Sequence, residues 1–158
     1  MSRGILYIAF GEPFLREMLL SIESVRQFHP NLPITVIADR PVSSTSIDQT
    51  KIIKPQHLRP KIDHIGESPY QETLFLDTDT ILNSSIEDMF EILPKYDIGL
   101  CHDLARKRQK YALAIPEYQA IPYAFPELNT GVILFRKNQR TVSLFAEWKK
   151  LFYKYLDA

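Results

Sequence analysis

Two apolar runs separated by one helix-length amphipathic segment constrain this chain more than anything else in it. "GILYIAF", Gly4 to Phe10, and "ITVIAD", Ile34 to Asp39, are rich in β-branched and aromatic residues and apolar on both faces. A strand apolar on both faces must be covered on both, the condition of a parallel sheet with helices packed on each side. Between the runs, Phe14, Met18, Ile22 and Val25 recur at helical spacing with Leu15 and Leu19 beside them, while Arg16, Glu17, Glu23 and Arg26 take the opposite face. The pattern predicts a helix from about Pro13 to Phe28, stopped by "HPNLP". Strand, helix and strand then make a βαβ unit, whose crossover sets its strands parallel.

The alternation continues. "TLFLD", Thr73 to Asp77, "YDIGLCHD" and "TGVILF", Thr130 to Phe135, read as strands. In "NSSIEDMFEIL", Ser84 followed three residues later by Glu87 has the pattern of a capping box, predicting a helix over roughly Ile86 to Leu93. Val142, Phe145, Trp148, Phe152 and Tyr155 predict a last amphipathic helix with Trp148 in the core and Lys149, Lys150 and Lys154 on its polar face. Arg40 to Pro69 is expected to hold a surface loop at "PVSSTS", an apolar pair in "KIIK" and a turn of helix near "PKIDHIG"; Leu104 to Leu128 is expected to be a surface excursion. At 158 residues the chain is the size of one domain. The fold class is therefore a single three-layer α/β/α, Rossmann-like domain with a mostly parallel sheet.

Charge narrows the function. With 19 basic and 19 acidic residues the formal net charge is zero, and only "RKRQK", Arg106 to Lys110, is a basic run; it reads as a solvated loop, so no nucleic-acid partner is expected. The single cysteine, Cys101, excludes an intramolecular disulfide, fits a reducing compartment and is expected to be a small buried strand residue. No apolar segment approaches the length needed to span a bilayer. A soluble cytoplasmic protein is expected, with peripheral membrane association left open.

In open α/β sheets ligands bind beyond the carboxyl ends of the strands. That rule gathers Phe10 and Gly11, Asp39, Asp77 to Asp79, and His102 and Asp103 near one rim. In "LFLDTDTIL", two carboxylates one residue apart end an apolar strand. A solvated turn is the ordinary reading of Asp-x-Asp, because an Asp side chain bonds its own backbone. At a ligand rim, however, the two charges repel, and a magnesium or manganese ion completed by substrate phosphates would relieve them.

Two families share such a strand end. In the haloacid dehalogenase-like phosphatases the first Asp is a nucleophile and the second an acid/base. That motif belongs near the start of its domain with an acidic cluster downstream, where this sequence has only the separated Asp97 and Asp103. A broader resemblance is to the glycogenin-like retaining glycosyltransferases of the GT-A fold. It is carried in order by "LYIAFGEPFLREMLLSIESVRQFHPNLPITVIAD", Lys61 in "RPKIDHIGESPY", "TLFLDTDTILNSSIEDMF", "ELNTGVILFRKN" and a helix containing "EWKKLF".

The resemblance implies metal-dependent transfer of a sugar from a nucleotide-diphosphate donor, UDP-linked by the family's habit, to a glycan, protein or lipid acceptor. It implies that Ala9 and Phe10 border the base, that Asp39 lies near the nucleoside, and that Lys61 approaches ribose or phosphate. Asp77, Thr78 and Asp79 would meet the donor, with Asp77 and Asp79 on manganese or magnesium, and Asn129 and Thr130 would border the sugar or acceptor. Asn129 as a strand cap and Lys61 as a solvated loop lysine stay open. No residue stands out as a base; His102 and Asp103 are rim candidates only. Family members continue past the helix matching "SLFAEWKKLFYKYL", and a later His-containing motif supplies a third metal ligand that His29, His57, His64 and His102 do not match. The expectation is one GT-A-like nucleotide-sugar-binding domain over residues 1–158 without that extension. A non-catalytic or partner-dependent binding remnant is the alternative, with self-association or a partner chain over the sheet edge left open.

Overall fold

The computed structural model describes residues 2–108 and 115–155 and, within them, builds one six-stranded sheet. Its strands are β1 Arg3–Ala9, β2 Ile34–Ala38, β3 Gln49–Ile52, β4 Glu72–Leu76, β5 Ile98–His102 and β6 Leu128–Arg136, in the order β3-β2-β1-β4-β6-β5. The first four are parallel, and β6 runs against both β4 and β5. The three-layer, mostly parallel α/β fold is therefore as the sequence predicts.

Alternation along the strands feeds two cores. Ile5, Tyr7, Ala9, Val36, Leu74 and Leu76 face helix α1, Glu12–Phe28, and the 3₁₀ turn Glu87–Ile92. Leu6, Ile8, Ile37, Phe75, Ile133 and Phe135 face the opposite layer, made by the short helix α2, Pro60–His64, with the 3₁₀ turn Ile65–Glu67, and the final helix. Helix α3, Pro116–Ala120, buries none of its residues, and helix α4, Gln139–Lys154, closes the described chain. Among the described residues no helix is long and apolar enough to cross a membrane.

Several expectations change in the structure. Phe14 stands 54% exposed, and the inward face of α1 is Leu15, Met18, Ser21, Ile22, Ser24 and Val25, so two serines occupy places an apolar stripe would fill. The apolar pair in "KIIK" lies at the end of a strand, β3, that the sequence reading did not identify. All four residues of β3 are exposed, and its edge position is held by backbone pairing to β2, which an apolar-pattern reading does not detect. The Ser84–Glu87 box does not form. The Ile86 amide donates to His29 Nε2 at 2.9 Å and the Glu87 amide to Ser85 Oγ at 3.3 Å, so a tight 3₁₀ turn starts there instead of an α-helix.

The box is found on α4 instead. The Asn138 side chain accepts from the Arg140 and Thr141 amides, and Thr141 Oγ1 accepts from the Asn138 amide. That start turns Thr141 and Phe145 inward, leaves Val142 44% exposed, and sets Trp148 partly buried against the second core. Cys101 is exposed on β5, not buried, because β5 is the sheet's other edge. Of the "RKRQK" run, Gln109 and Lys110 lie outside the described residues.

Candidate functional site

The carboxyl ends of β1, β2 and β4 open onto a cavity of about 460 Å³. Ile8 to Gly11 line it from β1, Asp39 from β2 and Asp77 to Asp79 from β4, while Phe14 and Glu17 reach in from α1 and Pro55 with His57 to Lys61 close the far wall. Eight residues singled out in the sequence, Ala9, Phe10, Gly11, Asp39, Lys61, Asp77, Thr78 and Asp79, thus share one cavity. Gly11, the one described residue with a left-handed backbone (φ 94°), turns the chain from β1 into α1. Its amide and, above all, the Arg40 guanidinium hold the Asp39 carboxyl below the usual aspartate range.

Lys61 is not a solvated lysine. Pro60 begins α2, and the next side chain, 15% exposed, runs inward until its Nζ lies 2.9 Å from both carboxylate oxygens of Asp77 and 2.9 Å from the Thr130 carbonyl. The antiparallel β6 begins at this same rim, and the Asp77 amide donates to Gly131 O at 2.7 Å. A Cβ on Gly131 would come within 3.1 Å of Asn129 Oδ1 and 3.4 Å of Asp77 Oδ2, so glycine lets β6 approach the aspartate. Asn129 Oδ1 accepts from the Gly131 amide at 2.7 Å, the strand-capping arrangement. Asn129 and Thr130 therefore flank Asp77 without lining the cavity.

The remaining rim candidates lie apart. Asp103 pairs with Arg108 at 2.7 Å and caps the Ala105 amide, His102 Nδ1 lies 3.0 Å from the Asp103 carbonyl, and neither residue lines the cavity. Asp97, at the opposite end of β5, is gripped by Arg136, Arg140 and Asn138. Neither acidic residue weighed for the phosphatase motif is thus beside Asp77.

Among the cavity residues that escaped the sequence reading are Phe14, Glu17, His57 and Arg59. Glu17 sits one helical turn after Phe14 and accepts from Thr78 Oγ1 at 3.2 Å, a link that the polar stripe of α1 gave no reason to expect. His57 accepts from the Arg59 amide through Nδ1 and places Nε2 2.6 Å from Asp63, which also meets Lys149 at 2.9 Å and the Tyr153 hydroxyl at 3.1 Å. Through Asp63 the cavity wall is tied to α4. Burial pushes the Asp63 carboxyl up, but Lys149, Tyr153 and His57 outweigh it and hold the group below its ordinary value.

A depressed carboxyl stabilises the folded state above its unfolded value and loses that contribution as pH falls through the folded one. The tie is accordingly full above about pH 4 and fades below it. Asp63→Asn should flatten the acid limb of stability measured by urea unfolding between neutral pH and acid; an unchanged limb would remove Asp63 as its source.

Asp77 and Asp79 present hard oxygens to the cavity. Among the described residues no cluster of three or more His, Cys, Asp or Glu side chains is placed to hold a metal ion by itself. Two carboxylates are hard oxygen donors of the kind magnesium or manganese takes, and holding such an ion would need further oxygen ligands. Asp79 is exposed and has no ion-pair partner among the described residues, whereas Asp77 is shared with Lys61.

The strand order and the reversed β6 match the GT-A fold of solved glycosyltransferases. No protein-family model matches the sequence, and no curated protein matches it. Solved structures do. The galactosyltransferase LgtC, in complex with donor and acceptor sugar analogs, superposes with a TM-score of 0.65 at 16% identity over 98% of this chain and 65% of its own. The glycosyltransferase GlyE of Streptococcus pneumoniae TIGR4 gives 0.65 at 17% over 98% of this chain and 39% of its own, and the bifunctional glycosyltransferase WbbM gives 0.64 at 11% over 96% and 34%. Likeness at such identity is a likeness of fold. The chain spans just under two thirds of the length of LgtC.

Proposed function

We propose that this chain binds a nucleotide-diphosphate sugar and transfers the sugar, in the manner of the glycogenin-like branch of the GT-A enzymes. The observation that carries the reading is the convergence of Asp77, Asp79, Lys61 and Asp39 on one cavity at the carboxyl rim of a GT-A sheet. Phe10 and Phe14 supply flat apolar walls for a base, and the ionised Asp39 accepts from the nucleoside. Asp77 and Asp79 would hold manganese or magnesium. A bound divalent ion supplies positive charge against the diphosphate as the anomeric bond breaks. Lys61, held at the same place by Asp77 and the Thr130 carbonyl, adds an ammonium that the leaving diphosphate can take over. Thr78 lies between the carboxylates and borders the donor, while Asn129 and Thr130 border the sugar from the start of β6. The acceptor is a glycan, protein or lipid hydroxyl.

Donor binding without turnover is the second reading. The observation for it is that neither His102 nor Asp103, the rim candidates for a base, lines the cavity. Incubation with a panel of UDP- and GDP-sugars in manganese, following nucleoside diphosphate release, tests the proposal. Release from one donor, abolished by chelator, is expected. Phosphate release from a generic phosphomonoester with no reaction of any nucleotide sugar would contradict it and favour phosphatase chemistry.

A further inference from the structure

Two serines on the buried face of α1 remain unexplained by packing or by donor binding, and one of them lies in a line of hydroxyls that ends under the aspartate turn. Tyr7 OH is 2.7 Å from Ser21 Oγ, Ser21 Oγ is 3.1 Å from Thr80 Oγ1, and Thr80 Oγ1 donates to the Asp77 carbonyl at 2.8 Å. Tyr7 and Ser21 are wholly buried. Proton counting fixes the direction of this line. A carbonyl only accepts, so the Thr80 proton goes to Asp77; Thr80 Oγ1 must then accept from Ser21, whose proton is thereby used, and Ser21 must accept from Tyr7.

Each hydroxyl has one proton and each proton one acceptor, so the chain runs one way from the floor of the sheet to the Asp77 carbonyl. Burial pushes the Tyr7 phenol up to about 12, which keeps its donating proton in place at neutral pH. The Thr80 amide also reaches the Asp77 carbonyl, at 3.2 Å. Two donors from Thr80 therefore close the turn that carries Asp79. Ser24 makes a parallel fastening: its hydroxyl donates to Ser21 O at 2.6 Å and accepts from the Leu82 amide at 3.0 Å, fixing the chain just beyond the turn.

We propose that Tyr7, Ser21 and Thr80 are positioning residues: their one-way hydroxyl chain sets the shape of the Asp77–Thr80 turn and so the place at which Asp79 is presented to the cavity. None of the three lines the cavity. The shape claim stands on the contacts above; the consequence for donor binding rests on the function proposed for this site.

The test is amide hydrogen exchange followed by NMR on the whole chain. Ser21→Ala leaves Tyr7 OH without an acceptor and Thr80 without its donor, and should speed exchange of the Thr80 amide roughly tenfold relative to the Val36 amide in β2. Adding Tyr7→Phe should recover part of the lost Tm, because the stranded phenol is then gone; independent side chains would give additive losses. Tyr70→Phe deletes an equally short hydroxyl pair, with Thr35 at 2.7 Å, away from the turn and should leave Thr80 exchange as in the parent.

Should Ser21→Ala fail to fold, Tyr7→Phe alone gives the same readout at smaller amplitude. Parent-like Thr80 exchange in the folded variant would overturn the proposal. For the functional consequence, Thr80→Val should weaken manganese-dependent binding of a nucleoside diphosphate roughly tenfold, and Thr80→Ser should restore it. Parent affinity in Thr80→Val would overturn the positioning role. A parent that binds no nucleoside diphosphate would instead overturn the donor-site reading, while exchange still decides whether the chain shapes the turn.

Discussion

Asp79→Asn should lower the affinity for a nucleoside diphosphate in manganese by roughly a hundredfold and leave the weak affinity in chelator within about twofold, since loss even of outer-shell support costs a metal site ten- to a hundredfold. The asymmetry follows from where the two carboxylates spend their charge. Asp77 is held by Lys61 through both oxygens and by its neighbours on β6, so it has a structural partner before any ligand arrives. Asp79 is exposed on the turn, with no ion-pair partner among the described residues. Its replacement should therefore spare stability and act on the metal-held diphosphate. Equal affinity of variant and parent in manganese would remove Asp79 from the metal site; an equal loss with and without metal would assign it to the nucleotide directly.

The largest stability effect is expected far from the cavity. Arg26 closes the end of α1: its guanidinium donates to the carbonyls of His29, Pro30, Leu32 and Ser46 and to the Asp48 carboxylate, with the side chain only 18% exposed. Asp48 in turn accepts from the Ile34 amide at the start of β2. One side chain thereby joins the helix end, the "HPNLP" turn and the segment leading into β3. Arg26→Met keeps the aliphatic stem but strands several carbonyls and should cost about 3 kcal/mol, the scale of a buried polar network losing its charged member. In urea unfolding the midpoint should fall with the slope unchanged. A loss below about 1 kcal/mol would mean that water replaces the guanidinium at these carbonyls.

The sequence reads Arg26 as decoration on a polar helix face, and the reason for that miss extends to others. Periodicity reports which side chains avoid water, so it finds β1, β2, β4 and α1 and is blind to β3, whose four residues are exposed and which joins the sheet through backbone pairing to β2. It also places Phe14 and Val142 on apolar stripes, although helix starts set by Gly11 and by the Asn138 box rotate both outward. The aspartate pair is legible because an apolar strand ending in two charges is unusual. Phe14, Glu17, His57 and Arg59 reach the same cavity from elements whose own patterns give no sign of it. The hydroxyl chain is invisible for a different reason: Tyr7, Ser21 and Thr80 are far apart in sequence and become partners only when α1 and the β4 turn settle on β1.

Calorimetric titration of the folded chain with UDP and GDP, in manganese and then in chelator, tests the donor-site claim most directly. Saturation by one of them in manganese, lost with chelator and lost in Asp77→Asn, is the predicted result. A chain that is folded by circular dichroism and takes up neither nucleotide with or without metal would contradict it.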